Sequence, residues 1–396
     1  MGLLETILAE PVDERFRAFG APQPPPAIAE VGERGWSLPA RDLPFPQLAL
    51  TESALAHNLA TMHGWCRERG LGLAPHGKTT MAPQLIRRQL DAGAWGMTAA
   101  SVHQAALMHA AGARRVIIAN EVVSAVELAR LERERGEGLD AYCLVDSLAA
   151  VERLAAGLRS GEPLPVLVEV GAAGGRAGAR EPEQALAVAA AVRASPRLAL
   201  AGVEAWEGGL GHDRAPATLA RVDALLERAA EMVERIGEFE TGEPIVTAGG
   251  SAYFDRVAEI LPRAVLRSGC YVTHDHGLYE RVTPLPSLRP ALRLWTEVLS
   301  VPEPGLAIAT FGRRDAPYDA GLPGPLRVVD GEMPAGLRVE AVNDQHAFLR
   351  FDDGALRVGD LVVCGVSHPC TAFDKWSLLP LVDDDDRVIG AIRTLF

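Results

Sequence analysis

Between residues 71 and 269 the chain repeats one pattern eight times: a short apolar run followed by an amphipathic stretch. The runs are LGLAPH (71–76), WGMTAA (95–100), RVIIAN (115–120), AYCLVD (141–146), VLVEV (166–170), LAGVEAW (200–206), IVTAGG (245–250) and AVLRSG (264–269). Short continuous apolar runs suit strands covered on both faces, as in a parallel sheet. The intervening stretches carry helical signals. PQLIRRQLDAG places Leu85 and Gln89 before Gly93 as a C-terminal stop, and SLAAVERLAAGL opens on Ser147 as an N-cap. Eight strand-then-helix units predict a (β/α)8 barrel.

The flanks read differently. Residues 1–46 are proline-rich (APQPPPAIAE, SLPARDLPFP) with weak periodicity, and are expected to form an arm packing on a β domain. The barrel is assigned to 47–285. From 286 to 396 the runs LRLWTEVLSV, LAIATFG, LRVEAVNDQHAFLRF and DLVVCGVSHPC are separated by turns and predict an all-β domain.

Composition narrows the setting. A formal charge of -13, with DDDD at 383–386 as the one acidic block, argues against nucleic acid or an anionic membrane surface as partners. No apolar run approaches the roughly 18 residues of a membrane span. Five cysteines lack any C-x-x-C pair, and the N-terminal MGLLETILAEPVDERF lacks a charged-then-apolar leader, so the expected location is a reducing cytoplasm.

In such a barrel the chemistry gathers at the carboxyl ends of the strands. Lys78, in LAPHGKTTM, falls two residues past the end of the first run, beside Pro75, His76 and Gly77. A surface lysine in an ordinary loop is the plain alternative, but a desolvated amine there can attack a carbonyl to form an imine. Sugar aldolases and pyridoxal phosphate enzymes both meet that description. The seventh run ends in TAGGSAYFD (247–255), where Thr247, Gly249, Gly250 and Ser251 offer amides and hydroxyls, and the eighth in RSGCYVTHD (267–275), with Gly269 and Tyr271. These are the loops where barrels hold phosphate; two tight glycine turns are the alternative. Arg176, on the glycine-rich loop GAAGGRAG after the fifth run, could meet a cofactor ring or a substrate carboxylate. In GVSHPC, His368 and Cys370 stand two residues apart, on one face if the segment is extended, and imidazole plus thiolate suits zinc. His274–His276 forms a rival metal pair, and His346 in NDQH is a weak candidate.

Taken in order, PHGKT, the G-x-x-x-x-R-x-G loop at Gly171 to Gly178, TAGGS, RSGCY and the late H-x-C resemble the D-serine dehydratase and D-threonine aldolase family, over most of the chain from about residue 45. The resemblance implies an alanine racemase-like fold (fold type III), usually a homodimer, with Lys78 carrying pyridoxal phosphate as an imine. It further implies that His76, Thr247, Gly249, Gly250, Ser251, Gly269 and Tyr271 surround the cofactor, with Arg176 near its ring. Dehydratases of the family tend to carry His-x-Cys for zinc and aldolases His-x-Asp for a harder ion, so Cys370 favours the dehydratase. Ala74 before Pro75, and Thr80 and Met81 after the Lys-Thr, depart from the family pattern R-P-H-x-K-T-H-K.

The expected activity is therefore conversion of a D-β-hydroxy amino acid (D-serine, D-threonine or D-threo-3-hydroxyaspartate) to a 2-oxo acid and ammonia, with Lys78 taking the α-proton and zinc assisting loss of the β-hydroxyl. A metal-dependent D-threonine aldolase is the alternative, racemase activity is a more distant one, and a non-catalytic pyridoxal phosphate carrier is the alternative from another class.

Overall fold

The computed structural model describes residues 2–159, 161–329 and 331–396. Its strands, in chain order, begin with β1 (Gln47–Thr51), followed by β2 (Gly72–Leu73), β3 (Met97–Ala99), β4 (Arg115–Ile118), β5 (Asp140–Val145), β6 (Leu164–Val170), β7 (Leu198–Ala205), β8 (Ile245–Ala248) and β9 (Val265–Leu266). From β2 to β9 these are the eight runs read from the sequence, and they pair in parallel in the order β2-β9-β8-β7-β6-β5-β4-β3. Short contacts close the seam between β2 and β3: the Trp95 amide donates to Leu73 O at 2.8 Å, the Thr98 amide to Pro75 O at 2.9 Å, and His76 bridges Thr98 in parallel.

The apolar runs are nearly continuous because both faces of each strand are covered. Ile117, Leu144, Leu167 and Ala201 fill the barrel lumen, while their neighbours Val116, Cys143, Val145, Val166 and Val168 pack outward against the helices. Two predicted helix boundaries are realised. Ser147 Oγ accepts from the Ala150 amide at 3.3 Å at the head of helix Leu148–Gly157, and helix Pro83–Asp91 ends before Gly93, whose φ is +101°.

The second sheet comprises β10 (Leu292–Glu303), β11 (Leu306–Ala309), β12 (Gly324–Val328), β13 (Arg338–Val342), β14 (Ala347–Arg350), β15 (Leu361–Gly365), β16 (Leu378–Val382) and β17 (Val388–Arg393), together with β1. The main path runs β13-β14-β11-β10-β1-β16-β17, with β15 bridging β10 and β12. β1 lies in its middle, antiparallel to β10 (Leu50 opposite Leu292) and parallel to β16 (Leu50 opposite Leu381). The segment 47–51, read from the sequence as the start of the barrel stretch, thus hydrogen-bonds in the other sheet. The N-terminal residues lie against this sheet: the Arg17 guanidinium sits 3.9 Å over the Trp376 ring and bonds Asp315, and the Val388 amide donates to Trp36 O at 2.8 Å.

Candidate active site

A cavity of about 370 Å3 opens at the carboxyl ends of the barrel strands, against the β domain. Lys78 reaches it from the 3-10 turn Gly77–Thr79, exposed between buried neighbours. The turn's geometry is fixed by close packing: a Cβ on Gly77 would run into Met108, and one on Gly269 would run into the carbonyl of His76. The glycine of RSG is therefore required because the eighth-strand loop presses against the lysine loop. His76 also lines the cavity, and its Nδ1 is sealed without a partner. Burial, with the charges of Lys78, Arg267 and Arg176, holds this imidazole well below its usual range, so it is neutral.

Gly250, Ser251, Gly269 and Cys270 line the same cavity as Lys78. The amides of Gly249 and Gly250 are already taken: both donate to the buried carboxylate of Glu207, at 3.2 and 2.5 Å. The amides of Ser251, Gly269 and Cys270 have no acceptor among the described residues. An anion cradle therefore sits one step along from the paired glycines, on Ser251 and the Gly269–Cys270 turn. With a lysine on the wall of the same cavity, the arrangement fits pyridoxal phosphate. Two expected contacts lie elsewhere. The Tyr271 hydroxyl points to His63 and Gln89 at 3.2 Å each, away from the cavity, and Thr247 Oγ1 is held in the lumen between Val265 O at 2.7 Å and Arg267 at 2.9 Å. Arg176 stacks 4.3 Å from the centre of the Trp206 ring, which itself walls the cavity, so the arginine lies one ring removed.

His368 and Cys370 come together on the β-domain side of the same cavity. They flank the start of the 3-10 turn Pro369–Thr371 rather than lying on a strand. Asp319 Oδ2 lies 2.7 Å from His368 Nδ1, and its Oδ1 accepts from Thr371 at 2.7 Å. Burial alone would raise the Asp319 pKa, but these two bonds outweigh it and keep the carboxylate ionised. With Nδ1 donating to Asp319, the lone pair of Nε2 is free to ligate, the arrangement that carboxylate-supported metal histidines use. Among the described residues no set of three or more histidine, cysteine or acidic side chains converges as a metal cluster. A zinc ion held by His368 and Cys370 would keep open positions, as a Lewis-acid site requires.

The rival candidates have other employment. Asp275 caps the helix Leu278–Val282, His276 Nε2 lies 3.0 Å from Arg293, and His274 is buried outside the cavity. His346 is exposed at the turn between β13 and β14.

Sequence reasoning passed over several residues here. Cys270 Sγ lies 3.3 Å from Cys370 Sγ, and Thr79 Oγ1 touches both sulfurs, at 3.8 and 3.4 Å. A hydrogen bond from Cys370, aided by Tyr279 and the His368 charge, pulls Cys270 down to about 6 against the effect of burial, and Cys370 is held correspondingly high. In the lumen, Arg267 is ion-paired to the fully buried Glu204, and burial with the charges of Glu204 and Glu121 pushes Glu169 up to about 9, making it the protonated member at neutral pH. Arg267 opens the very motif RSGCY, so its position was in view while its partner was not.

A closed parallel barrel with a lysine on its first loop, joined to a separate β domain, defines the alanine racemase-like class of barrel enzymes. A family model described as the alanine racemase N-terminal domain matches residues 50–275, and one described as a putative serine dehydratase domain matches 291–382. The chain belongs to the alanine racemase N-terminal domain family. It is similar to a D-threonine aldolase of an Arthrobacter species (29% identical over 339 residues, covering 85% of this chain and 86% of that one) and to a D-threo-3-hydroxyaspartate dehydratase of a Delftia species (25% over 333 residues, 79% and 85%). Among solved structures it resembles D-threonine aldolase from Filomicrobium marinum, with a TM-score of 0.81 and 26% identity over 91% of this chain and 96% of that one.

Proposed function

We propose that the chain is a pyridoxal phosphate- and zinc-dependent lyase that converts a D-β-hydroxy amino acid to a 2-oxo acid and ammonia, acting as a homodimer in the cytoplasm. The observation that carries this reading is that Lys78, from the barrel, and His368 and Cys370, from the β domain, line one cavity.

When bound, pyridoxal phosphate supplies an electron-withdrawing ring that makes the substrate's α-proton acidic. Ser251 and the Gly269–Cys270 turn would hold its phosphate. Lys78 Nζ then accepts the α-proton, from the turn Gly77–Thr79 that sets the amine on the cavity wall. His76, neutral and sealed at Nδ1, adds no competing charge beside that amine. His368 Nε2 and Cys370 Sγ would hold zinc, whose Lewis acidity suits departure of a β-hydroxyl, otherwise a poor leaving group. Asp319 keeps the His368 proton on Nδ1. The Cys370 thiolate favours zinc over a harder ion, and a related D-threo-3-hydroxyaspartate dehydratase has been solved in a metal-free form as a cysteine-to-alanine mutant.

The second reading is an aldolase yielding glycine and an aldehyde, favoured by the Arthrobacter relative's name. It needs the β-hydroxyl, rather than the α-carbon, to lose its proton. One experiment separates them: D-serine, D-threonine and D-threo-3-hydroxyaspartate are each supplied with and without EDTA, and 2-oxo acid and aldehyde are assayed. Chelator-sensitive 2-oxo acid supports the dehydratase, and glycine plus aldehyde supports the aldolase. Visible absorption of the purified protein that survives unchanged in Lys78→Ala would overturn both.

A further inference from the structure

The mechanism above uses one of the two sulfurs that meet at the cavity wall. Cys370 comes from the β domain and is partly exposed; Cys270 comes from the eighth-strand loop and is buried, 100 residues away in sequence. Their Sγ atoms are 3.3 Å apart, inside van der Waals contact, and both line the same solvent-reachable cavity. The other cysteines, Cys66, Cys143 and Cys364, are buried elsewhere and do not line it. A disulfide needs the sulfurs to close from 3.3 Å to about 2.05 Å. We propose that Cys270 and Cys370 are a thiol pair that a hydroperoxide converts reversibly to a disulfide.

The chemistry balances with hydrogen peroxide as the oxidant. One of the two sulfurs attacks one peroxide oxygen. The O–O bond breaks, sulfur becomes a sulfenic acid, and the departing hydroxide takes the thiol proton to leave as water. The other sulfur then attacks the sulfenic sulfur, the S–O bond breaks, and the second hydroxide leaves as water with that thiol's proton. Two thiols and one peroxide give one disulfide and two waters; an external dithiol reverses the bond by exchange. Where Cys370 also holds zinc, a consequence that rests on the function proposed above, the disulfide removes that donor, and oxidation releases the metal.

The test uses the full chain, treated with EDTA and then with hydrogen peroxide, followed by alkylation and peptide mapping under non-reducing conditions. The expected result is a cross-link between the Cys270 and Cys370 peptides, free thiols falling from five to three, recovery with dithiothreitol, and no cross-link in Cys270→Ser or Cys370→Ser. Because the wild-type map carries the result, a poorly folding variant does not rescue or sink it. Sulfinic acid at Cys370 with Cys270 still alkylated, or both thiols untouched, would overturn the proposal. Zinc content measured alongside separates the two readings: a cross-link in a protein that never bound zinc leaves the thiol pair standing and removes the metal site.

Discussion

Asp319 is the residue on which the proposed metal site turns, since it fixes which nitrogen of His368 carries the proton. Asp319→Ala is expected to weaken zinc binding by about 10–100-fold, read by competition with a chromophoric chelator, while leaving the fold intact. Unchanged affinity would mean that His368 needs no such support. Glu204 makes the opposite kind of prediction. Removing it in Glu204→Ala leaves the Arg267 guanidinium in the barrel lumen without its carboxylate, which is expected to cost about 3–5 kcal/mol in denaturant unfolding; a loss below about 1 kcal/mol would show that Glu169, released from protonation, takes over the pair. Lys78, His368 and Cys370 could be singled out because each stands in a short motif whose residue types have a narrow chemical use, and they line one cavity. Glu204 and Arg267 could not, because a lumen ion pair between residues 63 apart leaves no local trace.

At the level of single elements, the helix Leu278–Val282 owes its start to Asp275, whose Oδ1 accepts from the amides of Gly277 and Tyr279 at 2.9 Å and of Glu280 at 3.3 Å. Its Oδ2 is buried without a partner, and burial raises the carboxyl to about 7, against the pull of those amides. In the unfolded chain the same group titrates near 4. Across about pH 4–7 the folded state therefore keeps a proton that the unfolded state has lost, and the stability it contributes is complete below that window and lost as pH rises through 7. Asp275→Asn retains the acceptor and abolishes the titration, so its melting temperature is expected to fall less than wild type's between about pH 5 and 8. Parallel slopes would assign the loss to another group. The strands and helix caps of the barrel were legible because a run covered on both faces, or a serine before a helical repeat, carries its own signature. The HDH triplet stood as a rival metal pair because a capping aspartate between two histidines looks the same in one dimension as a ligand set.

The whole molecule is tied together by β1. Residues 47–51 supply a central strand of the second sheet, so the fragment 286–396 lacks a strand between β10 and β16 and is expected to show no cooperative thermal transition on its own; a sharp melt by circular dichroism would make that sheet independent of β1. The barrel's order of strands could be read from its repeat, since consecutive units lie side by side. The placement of β1 could not, because QLALT is an apolar run of the same kind as its successors, and only pairing partners hundreds of residues away distinguish it.

That placement also sets a timetable. A ribosome must add some 240 residues after Thr51 before β10 leaves it, a wait of about 12 to 50 s at ordinary elongation rates of roughly 5–20 residues per second. The barrel's local contacts are complete in the interval, while β1 emerges with both hydrogen-bonding edges open. The nascent chain thus carries an unpaired strand through most of its own synthesis, an open template for other chains until Leu292 emerges.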